Sequence, residues 1–143
     1  MLITKETDYA LRILRTLSEG GCHTVGALAA REALPRNFAY KIVKKLERAG
    51  LSGISRGNGG GCYLACDLGE RNLSELIGAI EQNARLSSCM EPGYDCEWQR
   101  ANGPCGIHAQ LCRVQKQIDG ELRSRSLSWV LSGDGGHTAR RPV

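Results

Sequence analysis

The chain reads as a mostly α protein: a winged helix-turn-helix with a short β-hairpin wing and a long C-terminal dimerisation helix. Three observations predict this class. Apolar side chains recur at helical spacing in three consecutive segments of the first fifty residues. A glycine-rich turn between two short strand-like runs follows, and a narrow apolar stripe then runs between Ile107 and Leu122. The core must also be aliphatic, because 143 residues hold one Phe, two Trp and four Tyr. Stripes of Leu, Ile, Val and Ala suit helices better than a β-sandwich.

Residues 6–18 place Ala10, Ile13, Leu14 and Leu17 on one helical face, and Gly20-Gly21 ends that helix. Thr24 caps a second helix that buries Val25, Leu28 and Ala29 and stops before Leu34-Pro35. Pro35 opens a third helix where its missing N–H does no harm. The apolar face there is Phe38, Ile42, Val43, Leu46 and Ala49, with Gly50 just past the end. Residues 51–55 and 62–65 pair as a hairpin across Arg56-Gly57-Asn58-Gly59-Gly60-Gly61, whose Asn-Gly step favours a tight turn. No Gly-Lys-Ser or Gly-Lys-Thr follows, so the glycines are not a P-loop. Asn72 caps a fourth helix carrying Leu73, Leu76, Ile77 and Ile80, which fades near Asn83. Residues 86–105 read as irregular chain. From Gly106 the helical spacing returns through Ile107, Leu111, Val114, Ile118 and Leu122, close to the seam of a two-helix pair. The expected organisation is therefore a DNA-binding unit at 1–83, a cysteine loop at 84–105, a dimerisation helix at 106–131 and a disordered polar tail at 132–143.

Charge is unequally shared. Residues 1–66 contain ten basic and five acidic side chains, net +5, whereas residues 67–143 contain nine and ten, net −1. The first part is the one suited to a polyanion. On the third helix Arg36, Asn37, Tyr40, Lys41 and Lys44, with Lys45 and Arg48 beyond them, put base-reading groups near the N-terminal turn and cations further along. A recognition helix in a major groove needs that arrangement. In the wing, Asn58, Gly59 and Gly60 let backbone approach a phosphate or enter a minor groove, and Arg56 is placed for insertion there.

Every apolar stretch is broken by charges well before the roughly 18 residues a membrane span needs, and the first fifteen residues carry too much charge for a secretory leader. A cytoplasmic protein is expected. Thiols stay reduced there, so seven cysteines call for something other than structural disulfides. Cys89, Cys96 and Cys105 are separated by six and eight residues, unlike the paired spacing of zinc ribbons. Three thiolates on a pliable loop suit an iron–sulfur cluster, and a loop of this length needs such a source of order. A fourth ligand is open between His108, one helical turn past Cys105, the more distant Cys112, and Asp8 from a second subunit. Cys22 reads as a small buried or loop residue, Cys62 and Cys66 as a weaker candidate redox pair, and His23 and His137 as exposed loop residues. Trp98 is placed to shield a cofactor, and Trp129 to pack.

Four stretches together carry a resemblance: residues 4–14 (TKETDYALRIL), the wing at 56–65 (RGNGGGCYLA), residues 73–81 (LSELIGAIE) and the three-cysteine loop. Over residues 1–131 the chain resembles the IscR/NsrR-type, or Rrf-two, winged-helix regulators. That resemblance implies a homodimeric transcription factor on an operator in double-stranded DNA, with one iron–sulfur cluster per subunit held by Cys89, Cys96 and Cys105. Cluster state would set which DNA is bound, or whether any is, in response to nitric oxide, oxygen or iron–sulfur status. The fourth ligand would be His108, by its place in Cys105-Gly106-Ile107-His108, or Asp8. The number of irons, two or four, stays open.

The alternatives are a cluster-free thiol-redox or zinc-dependent repressor of the same fold, and an electron carrier or cluster scaffold, which leaves the basic third helix unexplained. No nucleophile with a neighbouring base and no paired carboxylates emerge, so neither an enzyme nor a small-molecule substrate is expected.

Overall fold

The computed structural model describes residues 3–133. Helix α1 (Lys5–Ser18) begins at Thr4, whose side chain accepts the Glu6 amide, and turns Ala10, Ile13, Leu14 and Leu17 completely inward. Helix α2 (Val25–Glu32) is capped by Thr24, which accepts the Ala27 N–H at 3.1 Å. The turn through Ala33, Leu34 and Pro35 leads into α3 (Arg36–Arg48), with Pro35 at the cap position rather than inside the first turn. Gly50, at φ +71°, lets Leu51 donate back to the Leu46 carbonyl at 2.9 Å. Packed together, α1, α2 and α3 bury Leu28, Leu34, Ile42, Val43, Leu46 and Leu51 in one aliphatic core.

Phe38 departs from the expected core. It is 38% exposed, and its ring lies edge-on to Tyr9 with centroids 6.1 Å apart, while Ala39 takes the inward position. The apolar stripe of α3 contains both residues, and the tight approach of α1 leaves room only for the smaller one.

The wing is an antiparallel pair of β1 (Ser52–Ser55) and β2 (Gly61–Leu64), in register Ser52 with Leu64 through Ser55 with Gly61. It is also fastened on its other side. His23 and Cys62 exchange both backbone hydrogen bonds, at 2.9 and 2.7 Å, so His23 is a half-buried strand partner rather than a free loop residue. Gly61 permits this approach: a Cβ there would stand 2.5 Å from the His23 carbonyl oxygen.

Helix α4 (Leu73–Ile80) starts in a capping box between Asn72 and Glu75 and ends three residues earlier than the spacing predicts. The cysteine segment is less irregular than expected. It carries a 3₁₀ turn at Ser88–Met90 and a short helix α5 (Glu97–Asn102). Helix α6 (Gly106–Ser124) does not continue to 131. It stops at Arg125, the chain pairs back beside Asn72, and Ser126 caps α7 (Leu127–Ser132), whose Leu127 is wholly buried with Leu76 and Ile80. Trp129 stays 44% exposed beneath the Arg125 guanidinium, 4.5 Å from the ring centroid, instead of packing inward. The expected tail beyond Gly133, with His137, lies outside the described residues.

Candidate nucleic-acid interface and candidate metal centre

Helix α3 has two unlike faces because its apolar residues recur every three or four positions, leaving the polar ones on the far side. Arg36, Asn37, Tyr40 and Lys44 are exposed there, Tyr40 by 53%. Arg36 lies over α2 at Gly26, where an added Cβ would meet its guanidinium at 2.7 Å. Arg56, Asn58 and Gly59 stand exposed at the wing tip, while Gly60 is half-buried in the turn that its N–H closes onto Gly57.

Lys41 is differently placed. Its Nζ donates to Glu6 Oε1 at 2.6 Å, while Lys45 Nζ donates to Glu6 Oε2 and to the Ile80 carbonyl, both at 2.6 Å. The hydrogen bonds from Lys41 and then Lys45 hold the Glu6 carboxyl below its ordinary value. Beside this cluster, Glu81 accepts from the Thr4 amide, the Thr4 hydroxyl and the Thr7 hydroxyl at 2.9, 2.8 and 2.5 Å. Burial alone would raise the Glu81 carboxyl, but the bonds from Thr7 and Thr4 outweigh it and hold it low. The start of α1, the last turns of α3 and the end of α4 therefore meet at one polar node. Sequence reasoning missed it, because its partners lie 35 to 77 positions apart and Glu6 looks like any acidic first-turn residue.

All seven cysteines are free thiols. Cys89 sits in the 3₁₀ turn, Cys96 caps α5 and Cys105 caps α6, where its Sγ accepts the His108 amide at 3.4 Å. The His108 ring links two sulfurs: Nδ1 is 3.3 Å from Cys89 Sγ and Nε2 is 3.4 Å from Cys112 Sγ. Cys112, expected to be distant, is thus drawn in because it stands one turn beyond His108 on α6. Together these three residues line a cavity of about 560 Å³ with Arg85, Met90 and Glu91. Gln115, buried on α6, fixes the rim by accepting the Leu86 amide at 2.8 Å and donating to Asp119 at 2.9 Å. No sequence signal marked Gln115, a polar residue seven positions past His108 on the same face of α6 and lining the same cavity.

Nothing links Cys96 to the other thiols, and among the described residues no three potential ligands are close enough to hold a metal ion as placed. Asp8 lies on α1, paired with Arg12 at 3.1 Å. Trp98 is 54% exposed rather than folded over the thiols. The donor set nonetheless fits a soft metal centre. Three thiols and an imidazole, all donors that soft metals favour, fall within twenty residues. Away from this centre Cys22 is exposed, Cys62 is buried with its thiol pushed up by burial, and Cys66 faces the Leu51 carbonyl at 3.7 Å. Among the described residues no helix is long and apolar enough to cross a membrane.

Comparison with known proteins bears on both sites. Residues 3–133 match the family Rrf2, whose description reads iron-dependent transcriptional regulator. Protein aau3 of Rhizobium meliloti is 31% identical over 114 residues, which cover 78% of this chain and 72% of that protein. The HTH-type transcriptional regulator IscR of Cronobacter sakazakii is 24% identical over 135 residues, covering 92% and 81%. Among solved structures, that of CymR, the global cysteine regulator of B. subtilis, superposes with a TM-score of 0.68 at 21% identity, covering 93% of this chain and 98% of its own, a likeness of fold.

Proposed function

The chain belongs to the Rrf2 family of transcriptional regulators, and on that premise we propose that it is a DNA-binding regulator whose grip on an operator is set by an iron–sulfur cluster held by the cysteine segment and the start of α6. Cys89, Cys96 and Cys105 would hold it, with His108, Cys112 or a second subunit's Asp8 completing the set. When bound, such a cluster supplies a centre that reacts with nitric oxide or oxygen. The observation that carries this reading is His108 standing between Cys89 Sγ and Cys112 Sγ, which sets a thiol of the segment within hydrogen-bond reach of an imidazole on α6. Bringing in Cys96 costs little, because the residues around it are exposed and unpacked.

Each protomer would present α3 to a major groove, with Arg36, Asn37, Tyr40 and Lys44 as the leading contacts and Arg56, Asn58, Gly59 and Gly60 of the wing at the adjacent backbone or minor groove. The apolar stripe of α6 supports a homodimer: Ile107 is 73% exposed and Val114 44%, uncovered among the described residues. Two recognition helices in such a dimer would read half-sites about one helical turn, ~34 Å, apart. Ordering the cysteine segment against α6 would then bias the spacing of the two helices.

Anaerobic purification tests the cofactor. Brown protein with iron and acid-labile sulfide, lost in Cys89→Ala, Cys96→Ala and Cys105→Ala, is the expected result. Colourless wild-type protein with zinc or no metal would overturn it. That result would favour the second reading, a thiol-based regulator, which the seven free cysteines support. The DNA face is tested separately. Lys44→Ala and Arg56→Ala should each flatten the dependence of log binding constant on log salt by about 0.9, and unchanged titrations would reject the assignment.

A further inference from the structure

The polar node at the start of α1 bears directly on the proposed DNA face. Helix α3 carries three lysines within five positions, and they stand in three different situations. Lys44 is exposed and has no ion-pair partner among the described residues. Lys41 is also exposed, at 56% of its side chain, but its ammonium rests on Glu6. Lys45 is only 21% exposed and is held twice, by the other Glu6 oxygen and by the Ile80 carbonyl at the open C-terminal end of α4. One carboxylate from another helix thus occupies two cations of the recognition helix, using both of its oxygens.

The two contacts differ in kind. The Lys45 contact is partly sheltered and serves α4 as a cap, so a phosphate cannot compete for it without undoing the packing of α3 on α4. The Lys41 contact is open to water, where such pairs are worth little and exchange readily. A phosphate arriving at α3 would have to displace Glu6 from Lys41 and would meet the repulsion of its carboxylate. Phosphate contacts supply nearly all of the sequence-independent affinity for DNA. Blunting them at two of three lysines lowers the background binding more than it lowers recognition by Asn37 and Tyr40, which do not touch Glu6.

We propose that Glu6 is a positioning residue of the DNA interface, withholding Lys45 and partly withholding Lys41 from phosphate so that Lys44 leads the backbone contact and sequence-independent binding stays weak. The proposal rests on the reading of α3 as the recognition helix. It is tested with full-length protein, kept in one cluster state, on a 30-base-pair duplex of mixed sequence, by titrating binding at several salt concentrations.

Glu6→Gln keeps the side chain's size, removes its charge and leaves one acceptor oxygen where the carboxylate has two. It should tighten binding at low salt and steepen the slope of log binding constant against log salt by about 0.9, equivalent to about a 3.5-fold greater affinity loss between 50 and 200 mM salt. Lys41→Gln should flatten the slope by about that amount in the Glu6→Gln background and by less than half of it in the native background. An unchanged slope in Glu6→Gln, or equal effects of Lys41→Gln in both backgrounds, would overturn the proposal. Should circular dichroism show Glu6→Gln unfolded, Lys41→Gln and Lys44→Gln are compared in the native background: a smaller effect at Lys41 supports the proposal and equal effects refute it. If Lys44→Gln and Glu6→Gln both leave the slope untouched, the recognition-helix reading falls and takes this proposal with it. If Lys44→Gln flattens the slope and Glu6→Gln does nothing, the Glu6 proposal alone falls.

Discussion

Glu32 illustrates how a single side chain in this protein is bound by more than its exposure suggests. It is 7% exposed at the end of α2, accepts the Arg15 guanidinium at 2.5 Å and accepts the Thr16 hydroxyl at 2.7 Å. Burial would raise its carboxyl, but the bonds from Arg15 and Thr16 hold it below its ordinary value. Glu32→Gln should lower stability by about 1–3 kcal/mol, the range for losing a charged hydrogen bond where the acceptor is buried. Arg15 is itself 56% exposed and recovers water, which keeps the loss toward the lower end. The check is a urea titration, where the midpoint should fall at constant slope, and an unmoved midpoint would contradict the account. None of this was legible beforehand. Glu32 follows Arg31 in a run that looks solvated, and only the crossing of α1 over α2 covers it. Phe38 is the converse, an apolar residue on the expected face that stays outside, edge-on to Tyr9.

Elements were more legible than residues wherever a cap and a periodic stripe agreed. Thr24, Asn72 and Gly50 mark their helix ends as capping chemistry requires, and the glycine run turns the wing. The stretch after Gly106 misled because residues 121–132 contain no Gly or Pro to mark a break. The break at Arg125 is enforced by tertiary pairing, the Leu73 amide donating to the Arg125 carbonyl at 2.9 Å and the Leu127 amide to that of Arg71 at 2.8 Å. Helix α7 is therefore part of the winged-helix core, and α6 is its external strut. Leu127→Ala should cost about 2–5 kcal/mol, as for other wholly buried leucines, whereas Ile107→Ala on the open stripe should change the unfolding of a single chain by less than about 0.5 kcal/mol. Denaturant midpoints of the two variants decide this. Similar losses would mean that α7 is not docked as described.

Across the whole molecule, three carboxylates, Glu6, Glu32 and Glu81, tie separate helices together, and all three are held below the ordinary value of 4.5. A group whose folded-state pKa is depressed stabilises the fold above its unfolded pKa, and that contribution disappears as pH falls through the folded value. Stability should therefore be flat near neutrality and decline below about pH 4.5. Urea midpoints at pH 7 and pH 4 measure the difference, and equal midpoints would refute the linkage. The uneven charge and the grouping of Cys89, Cys96 and Cys105 were legible in the sequence, but which donors meet depends on how α6 lies against the 3₁₀ turn, and no spacing encodes that. The double backbone pairing of His23 with Cys62 has a mechanical outcome. The hairpin cannot flex without dragging the entrance of α2. In the proposed complex, any accommodation to a bent or irregular groove would then fall to the nucleic acid itself, or, in the proposed dimer, to a swing of one protomer against the other.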